Sequence, residues 1–240
     1  DPVVGTLAFE DLWPSQGDYD MNDVVVGYST TFTVDKDNRI VAIRDVVTPL
    51  HSGGKLRSAF GYQLDIPVTA VKGVKIENGS STAGLEKNQD KAVVILFDDI
   101  EQAVARGPVS VEIELDGSLS MDKVTRKSLY NPFICVSDKG FVPGAVRKEI
   151  HLTNYPPTSL ADPYPFGRND DKSSLDKAGN PIGPYYYATS ELYPFAIDLP
   201  VTDYRIPDEM VKIDVFYPDF AGWVKSRGEK HKEWYKNSVK

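Results

Sequence analysis

Side chains of one kind return at every second position in segment after segment of this chain, and that period belongs to β-structure. Val24, Val26, Tyr28, Thr30, Phe32 and Val34 share one face of an extended run. Asp35-Lys36-Asp37-Asn38 turns the chain, and Ile40 to Thr48 reads as the return strand. Phe60, Tyr62, Leu64 and Ile66 alternate with smaller or polar residues, and Val109, Val111, Ile113 and Leu115 alternate with Ser110, Glu112 and Glu114. Ala92 to Phe97 is apolar throughout, as in a strand covered on both faces, and Val211, Ile213 and Val215 alternate with Lys212 and Asp214. Strands separated by Gly, Asn, Asp and Pro turns predict an all-β chain with antiparallel sheets in a sandwich or jelly-roll-like arrangement.

Helical pattern is scarce. Ile100 to Arg106 reads as a short helix after Asp98-Asp99, and Phe220 to Tyr235 as a C-terminal helix with Asp219 as its N-cap. Residues 154–194 hold many prolines and glycines and few β-branched residues, but also Tyr185-Tyr186-Tyr187. Disordered segments are poor in aromatics, so this stretch reads as an ordered, irregular excursion over a sheet.

A chain of 240 residues can bury most of its apolar surface. No linker stands out, so a single domain over 1–240 is expected, with lobes 1–130 and 131–240 as the division if there is one. The net charge of −8 argues against nucleic acid, which needs clustered Lys and Arg. The one cysteine, Cys135, lies in an apolar run and reads as a buried small hydrophobe. No stretch approaches the roughly 20 apolar residues of a membrane helix. The sequence opens abruptly at Asp1-Pro2-Val3-Val4, and a removed upstream segment is expected, so any membrane attachment would be through an anchor there.

The densest chemistry is in Gly17-Asp18-Tyr19-Asp20-Met21-Asn22-Asp23, between Phe9-Glu10-Asp11-Leu12-Trp13-Pro14 and Val24-Val25-Val26. Crowded carboxylates are unfavourable unless donors, water or a cation neutralise them. Ca²⁺ takes about six to eight oxygen ligands, and D-x-D-x-N spacing supplies several from one loop. Asp18, Asp20, Asn22 and Asp23 are the candidate ligands, with Glu10 and Asp11 next. The loop is no EF-hand, because Asp23 stands where that loop needs Gly and Ser29 where it needs Glu. The competing reading is that Asp and Asn form Asx-turns and strand caps. Zinc is disfavoured, with no Cys or His nearby.

These blocks, in order, resemble the LruC domain family of bacterial envelope and secreted proteins. The resemblance rests on Phe9-Glu10-Asp11-Leu12-Trp13-Pro14, then Gly17-Asp18-Tyr19-Asp20-Met21-Asn22-Asp23-Val24-Val25, with Met21 in place of the family's Phe. It continues through Asn131-Pro132-Phe133-Ile134, Arg147-Lys148-Glu149-Ile150-His151-Leu152, Tyr155-Pro156-Pro157-Thr158, Phe166-Gly167, Asp170-Asp171-Lys172-Ser173 and Leu192-Tyr193-Pro194-Phe195-Ala196-Ile197-Asp198. Ala221-Gly222-Trp223 and Trp234-Tyr235 close it. The resemblance implies an outer-membrane lipoprotein or secreted surface protein and implies no reaction.

Two further groups compete with bland alternatives. Arg147, Glu149 and His151 point to one face of a strand, either as a ligand-binding or proton-transfer set or as a structural ion-pair network. Tyr185, Tyr186, Tyr187, Tyr193, Trp223 and Trp234 form either a sugar-stacking platform, with Tyr186 and Trp223 as candidate ligand-binding residues, or the roof of a satellite core. Asp170 and Asp171 could join a second cation site or cap a turn. No G-x-S-x-G elbow, P-loop or H-E-x-x-H motif occurs, and a glycosidase would need two carboxylates facing across a cleft. The expectation is a non-enzymatic, calcium-stabilised cell-surface or secreted module for adhesion or envelope interaction, with a glycan or another surface protein as partner. The alternative is a carbohydrate-binding module using the tyrosine-rich excursion.

Overall fold

A computed structural model describes residues 1–239. The strands are β1 (Val3–Phe9), β2 (Val24–Val34), β3 (Ile40–Ser52), β4 (Arg57–Pro67), β5 (Val71–Glu77), β6 (Gly84–Leu85), β7 (Lys91–Phe97), β8 (Val109–Leu115), β9 (Tyr130–Ser137), β10 (Glu149–His151) and β11 (Ala196–Leu199). They form two sheets, ordered β11-β1-β2-β3-β8-β5 and β10-β9-β4-β7-β6. Every pairing is antiparallel, as the alternating patterns require. The chain is an all-β sandwich, and both sheets draw strands from either side of residue 130.

The main core lies between the sheets. Leu7, Phe9, Val24 and Val26 of one sheet meet Phe60, Tyr62, Val94, Leu96 and Ile134 of the other. Each such side chain contributes about 1.5–3 kcal/mol by leaving water. One carboxylate is built into this core. Asp45 on β3 accepts hydrogen bonds from Thr30 Oγ1 at 2.6 Å, Tyr62 OH at 2.7 Å and Tyr130 OH at 2.8 Å, which ties the two sheets together.

The outer faces explain the non-alternating runs. On the five-stranded sheet, Ala59, Val93, Ile95, Phe133 and Cys135 form a small second cluster, so β7 is buried on both sides. On the six-stranded sheet, Ala8, Val25, Ile197 and Leu199 face outward and are covered by Tyr204, Tyr217, Phe220 and Trp234 of the C-terminal segment. That segment therefore acts as a third layer over β11, β1 and β2.

Helix α1 (Ile100–Arg106) forms where the sequence predicts it, with Asp99 accepting from the Gln102 amide and Gly107 closing it at φ 90°. After α2 (Arg126–Leu129), the C-terminal segment departs from the sequence reading. The alternation at Val211–Val215 does not make a strand. Ile213–Phe216 is a helical turn, α3, because Ile213 and Phe216 both turn inward against the outer cluster. The helix predicted over Phe220–Tyr235 is α4 (Phe220–Lys225) alone, followed by a separate 3₁₀ turn at Trp234–Lys236. Gly228, at φ 82°, donates to the Trp223 carbonyl at 2.9 Å and ends α4 there.

Candidate cation site

Residues 10–23 connect the antiparallel neighbours β1 and β2, which pair Phe9 with Val24 where the loop begins and ends. Tyr19 and Met21 adopt φ of 58° and 56°, a left-handed conformation that costs a non-glycine residue energy. That backbone buries the Tyr19 and Met21 side chains in the outer cluster. It also groups the oxygens of Asp18 and Asp20, two ligand atoms that fall within 4.8 Å of each other and of Glu209.

The buried oxygens are half-satisfied. Glu10, fully buried, accepts from the Met21 amide at 2.6 Å through Oε1. Asp23 Oδ2 accepts from the Asp11 amide at 2.8 Å. Asp20 Oδ2 accepts from the Met210 amide at 2.9 Å, and Asn22 donates through Nδ2 to the Pro207 carbonyl at 3.2 Å. One oxygen on each of four side chains here has no partner: Glu10 Oε2, Asp11 Oδ2, Asp20 Oδ1 and the single side-chain oxygen of Asn22, Oδ1. Only seven buried side-chain atoms among the described residues lack a partner, so four in one loop is a concentration that leaves room for donors from water or for a cation.

Burial also changes how readily these carboxyls ionise. Burial, reinforced by Asp11, pushes the Asp23 carboxyl up to about 8. Burial pushes Asp20 up to about 6 and raises Glu10 well above the usual carboxylate range, with Asp23 adding to the effect on Glu10. Burial also raises Asp11, against the pull of Lys148, whose Nζ donates to the Asp11 carbonyl at 3.0 Å.

Three contributors carry no local sequence signal. Gly53 and Gly54 arrive because β3 pairs with β2, and the Gly53 amide donates to the Asp23 carbonyl at 3.1 Å. A methyl on Gly53 would sit 2.1 Å from Asn22 Oδ1. One on Gly54 would sit 2.1 Å from Asp11 Oδ2 and 3.0 Å from Asp23 Oδ1. Glu209 comes from the C-terminal layer, docked on the loop by the Met210 bond and by Ile213 donating to the Tyr19 carbonyl at 2.8 Å. The donor set is oxygen only, which suits a hard cation such as Ca²⁺ and not zinc.

The other candidates sit elsewhere. Glu149 is wholly buried. Its Oε1 accepts from Arg147 Nε at 2.9 Å and Thr158 Oγ1 at 2.8 Å, and its Oε2 lies 2.9 Å from His151 Nε2. Burial pushes the Glu149 carboxyl up, but these bonds outweigh it and hold the carboxyl below its usual range. Arg147 also spans Glu86, and His151 stacks between Phe133 and Tyr187. The triplet is thus a buried, saturated network. Asp171 accepts from Trp13 Nε1 and from the Gly167 and Ser173 amides, which makes it the organiser of a turn. The three consecutive tyrosines are not a flat platform: Tyr187 is fully buried, Tyr186 half-buried and Tyr185 half-exposed. Trp223 is half-buried and stands well away in sequence on α4.

Comparison with known proteins is sparse. No curated protein matches the chain. A solved structure of a candidate lipoprotein from Bacteroides ovatus superposes with a TM-score of 0.67 at 20% identity, covering 98% of this chain and 74% of that one. That likeness is one of fold. A family model described as a domain of unknown function, DUF4842, matches residues 38–235, and the chain belongs to that family.

Proposed function

We propose that this chain is a calcium-pinned, non-enzymatic module of an exported or surface-held bacterial protein, serving adhesion or envelope interaction. The observation that carries the calcium reading is the set of four unpartnered, buried oxygens on Glu10, Asp11, Asp20 and Asn22, with Asp20 also one of the three carboxylates, Asp18, Asp20 and Glu209, whose oxygens converge within 4.8 Å. The ion would bind only the folded loop, and so would clamp the β1–β2 connection to β3 and to the C-terminal layer. The surface location draws its support from the LruC-like motifs and from the fold shared with a candidate lipoprotein.

Thermal unfolding in EDTA and in ~1 mM Ca²⁺, with Mg²⁺ as control, tests this. A dissociation constant of ~10 μM gives about 2.7 kcal/mol of added stability, a rise of roughly 5–10 °C. No calcium-specific rise in protein shown metal-free by elemental analysis would refute it.

A second reading, carbohydrate binding through the tyrosine-rich excursion, is favoured by one observation. Half-exposed Tyr185 and half-buried Trp223 line the same surface cavity.

A further inference from the structure

That cavity, about 400 Å³, opens where the excursion meets α4, and its size falls in the range of small-ligand sites. Its walls differ in charge from the protein as a whole. The chain carries a net charge of −8, yet the lining contains Lys127 and Arg227 and no Asp or Glu. Among the described residues, neither cation makes an ion pair or a side-chain hydrogen bond. Asp198, which feels the charge of Lys127, is already engaged by Tyr28 OH at 2.8 Å and by Arg126. Two free cations facing one concavity focus a local positive potential within a negative field.

The other lining groups suit a sugar ring. Trp223 is held from behind by Phe220 and Trp234, with centroids at 5.6 and 5.7 Å, so its orientation is fixed. Its indole N–H has no acceptor among the described residues. Gly228, at φ 82°, lies beside that edge, where a methyl would stand in van der Waals contact with Nε1 at 3.5 Å. Tyr185 is 50% exposed and presents a ring and a hydroxyl, and the Asn154 side-chain carboxamide, which makes no hydrogen bond among the described residues, offers a donor and an acceptor. Aromatic faces, free polar edges and paired cations are complementary to a saccharide carrying an anionic group.

We propose that the cavity between Tyr185 and Trp223 binds an acidic saccharide, its anionic group held by Lys127 and Arg227. This rests on the carbohydrate reading and is independent of the cation site. The anion could be a uronate carboxylate or a sulfate ester, and separate probes distinguish them.

Calorimetric titration of the whole chain in Ca²⁺ would compare an oligogalacturonate, a sulfated oligosaccharide, a neutral oligosaccharide of the same length and inorganic sulfate. At least one acidic sugar should bind tenfold or more tighter than the neutral one. Lys127→Gln and Arg227→Gln should each weaken it roughly fivefold to tenfold, with binding falling as salt rises. Tyr185→Ala, a half-exposed position that preserves the fold, should also weaken it, while Lys139→Gln on a remote turn should not. Equal binding of neutral sugar would overturn the acidic assignment and leave carbohydrate binding standing. Inorganic sulfate binding as tightly as the sugars would overturn it in favour of a bare anion site. No binding of any sugar would overturn both.

Discussion

The indole Nε1 of Trp13 donates to Oδ1 of Asp171 at 3.0 Å, joining residues 158 positions apart in the sequence. Trp13 is fully buried and packs edge-on against Phe166 at 4.8 Å and beside Tyr187 at 5.0 Å. The bond fixes the start of the β1–β2 connection to the irregular excursion, so the acidic loop is anchored at one side by Trp13 and at the other by Tyr19 and Met21. Rigid supports of this kind are what let unpaired oxygens stay together without an ordinary partner.

Trp13→Phe removes that donor and part of the buried volume. The expected cost is about 2–4 kcal/mol, a melting temperature lower by roughly 5–15 °C. An unchanged melting temperature would show that the contact contributes nothing net.

Gly54→Ala puts a methyl 2.1 Å from Asp11 Oδ2, a clash that must displace that oxygen, at a backbone φ outside the left-handed region. Its effect should therefore come from the displaced oxygens and not from a left-handed backbone. The calcium-dependent rise in melting temperature should fall by more than half. Gly73→Ala, with nothing within 4 Å of the added methyl, should keep the full rise. Equal responses from the two variants would remove Gly54 from the site.

Glu209 is exposed, so Glu209→Gln should leave stability in EDTA within about 0.5 kcal/mol of the parent. Calcium affinity, measured by titration, should drop about tenfold, equivalent to ~1.4 kcal/mol. Unchanged affinity would mean that the ion is held by the N-terminal loop without the C-terminal layer.

The Glu149 network makes a pH prediction. Its carboxyl is held below the usual value in the folded chain, so the unfolded chain binds protons more readily there. The stabilisation is present above about pH 4.5 and is lost as pH falls through the folded value. Urea unfolding of the parent and Glu149→Gln should differ by about 3 kcal/mol at pH 7, and the gap should narrow as pH falls below about 4.5. A gap independent of pH would show that the contribution does not depend on ionisation.

Much of the fold is local information. The alternation at Val24–Thr30 and Val109–Leu115 identifies β2 and β8, and the unbroken run at Ala92–Phe97 identifies a strand covered twice. Asp99 and Gly107 bracket α1 as capping chemistry requires. The same local logic misreads Val211–Val215 and overextends the last helix. In both places the outer face of the six-stranded sheet, and the left-handed residues Arg227 and Gly228, decide the backbone.

The acidic loop is likewise visible as a run of carboxylates, because its members lie within a few residues of one another. Sequence by itself determined the sandwich, through a period of two, and the presence of crowded oxygens at the start of β2. Only the tertiary structure decided which oxygens are left without partners. It also brought Gly53 against Asn22, Gly54 against Asp11 and Glu209 to Asp18 and Asp20, and put Lys127 and Trp223 in the wall of one cavity. The physical reason is distance along the chain. Periodicity and capping act over a few residues, whereas desolvation and convergence of charge depend on strand pairing and on a C-terminal layer that folds back 190 residues later to bond Asp20.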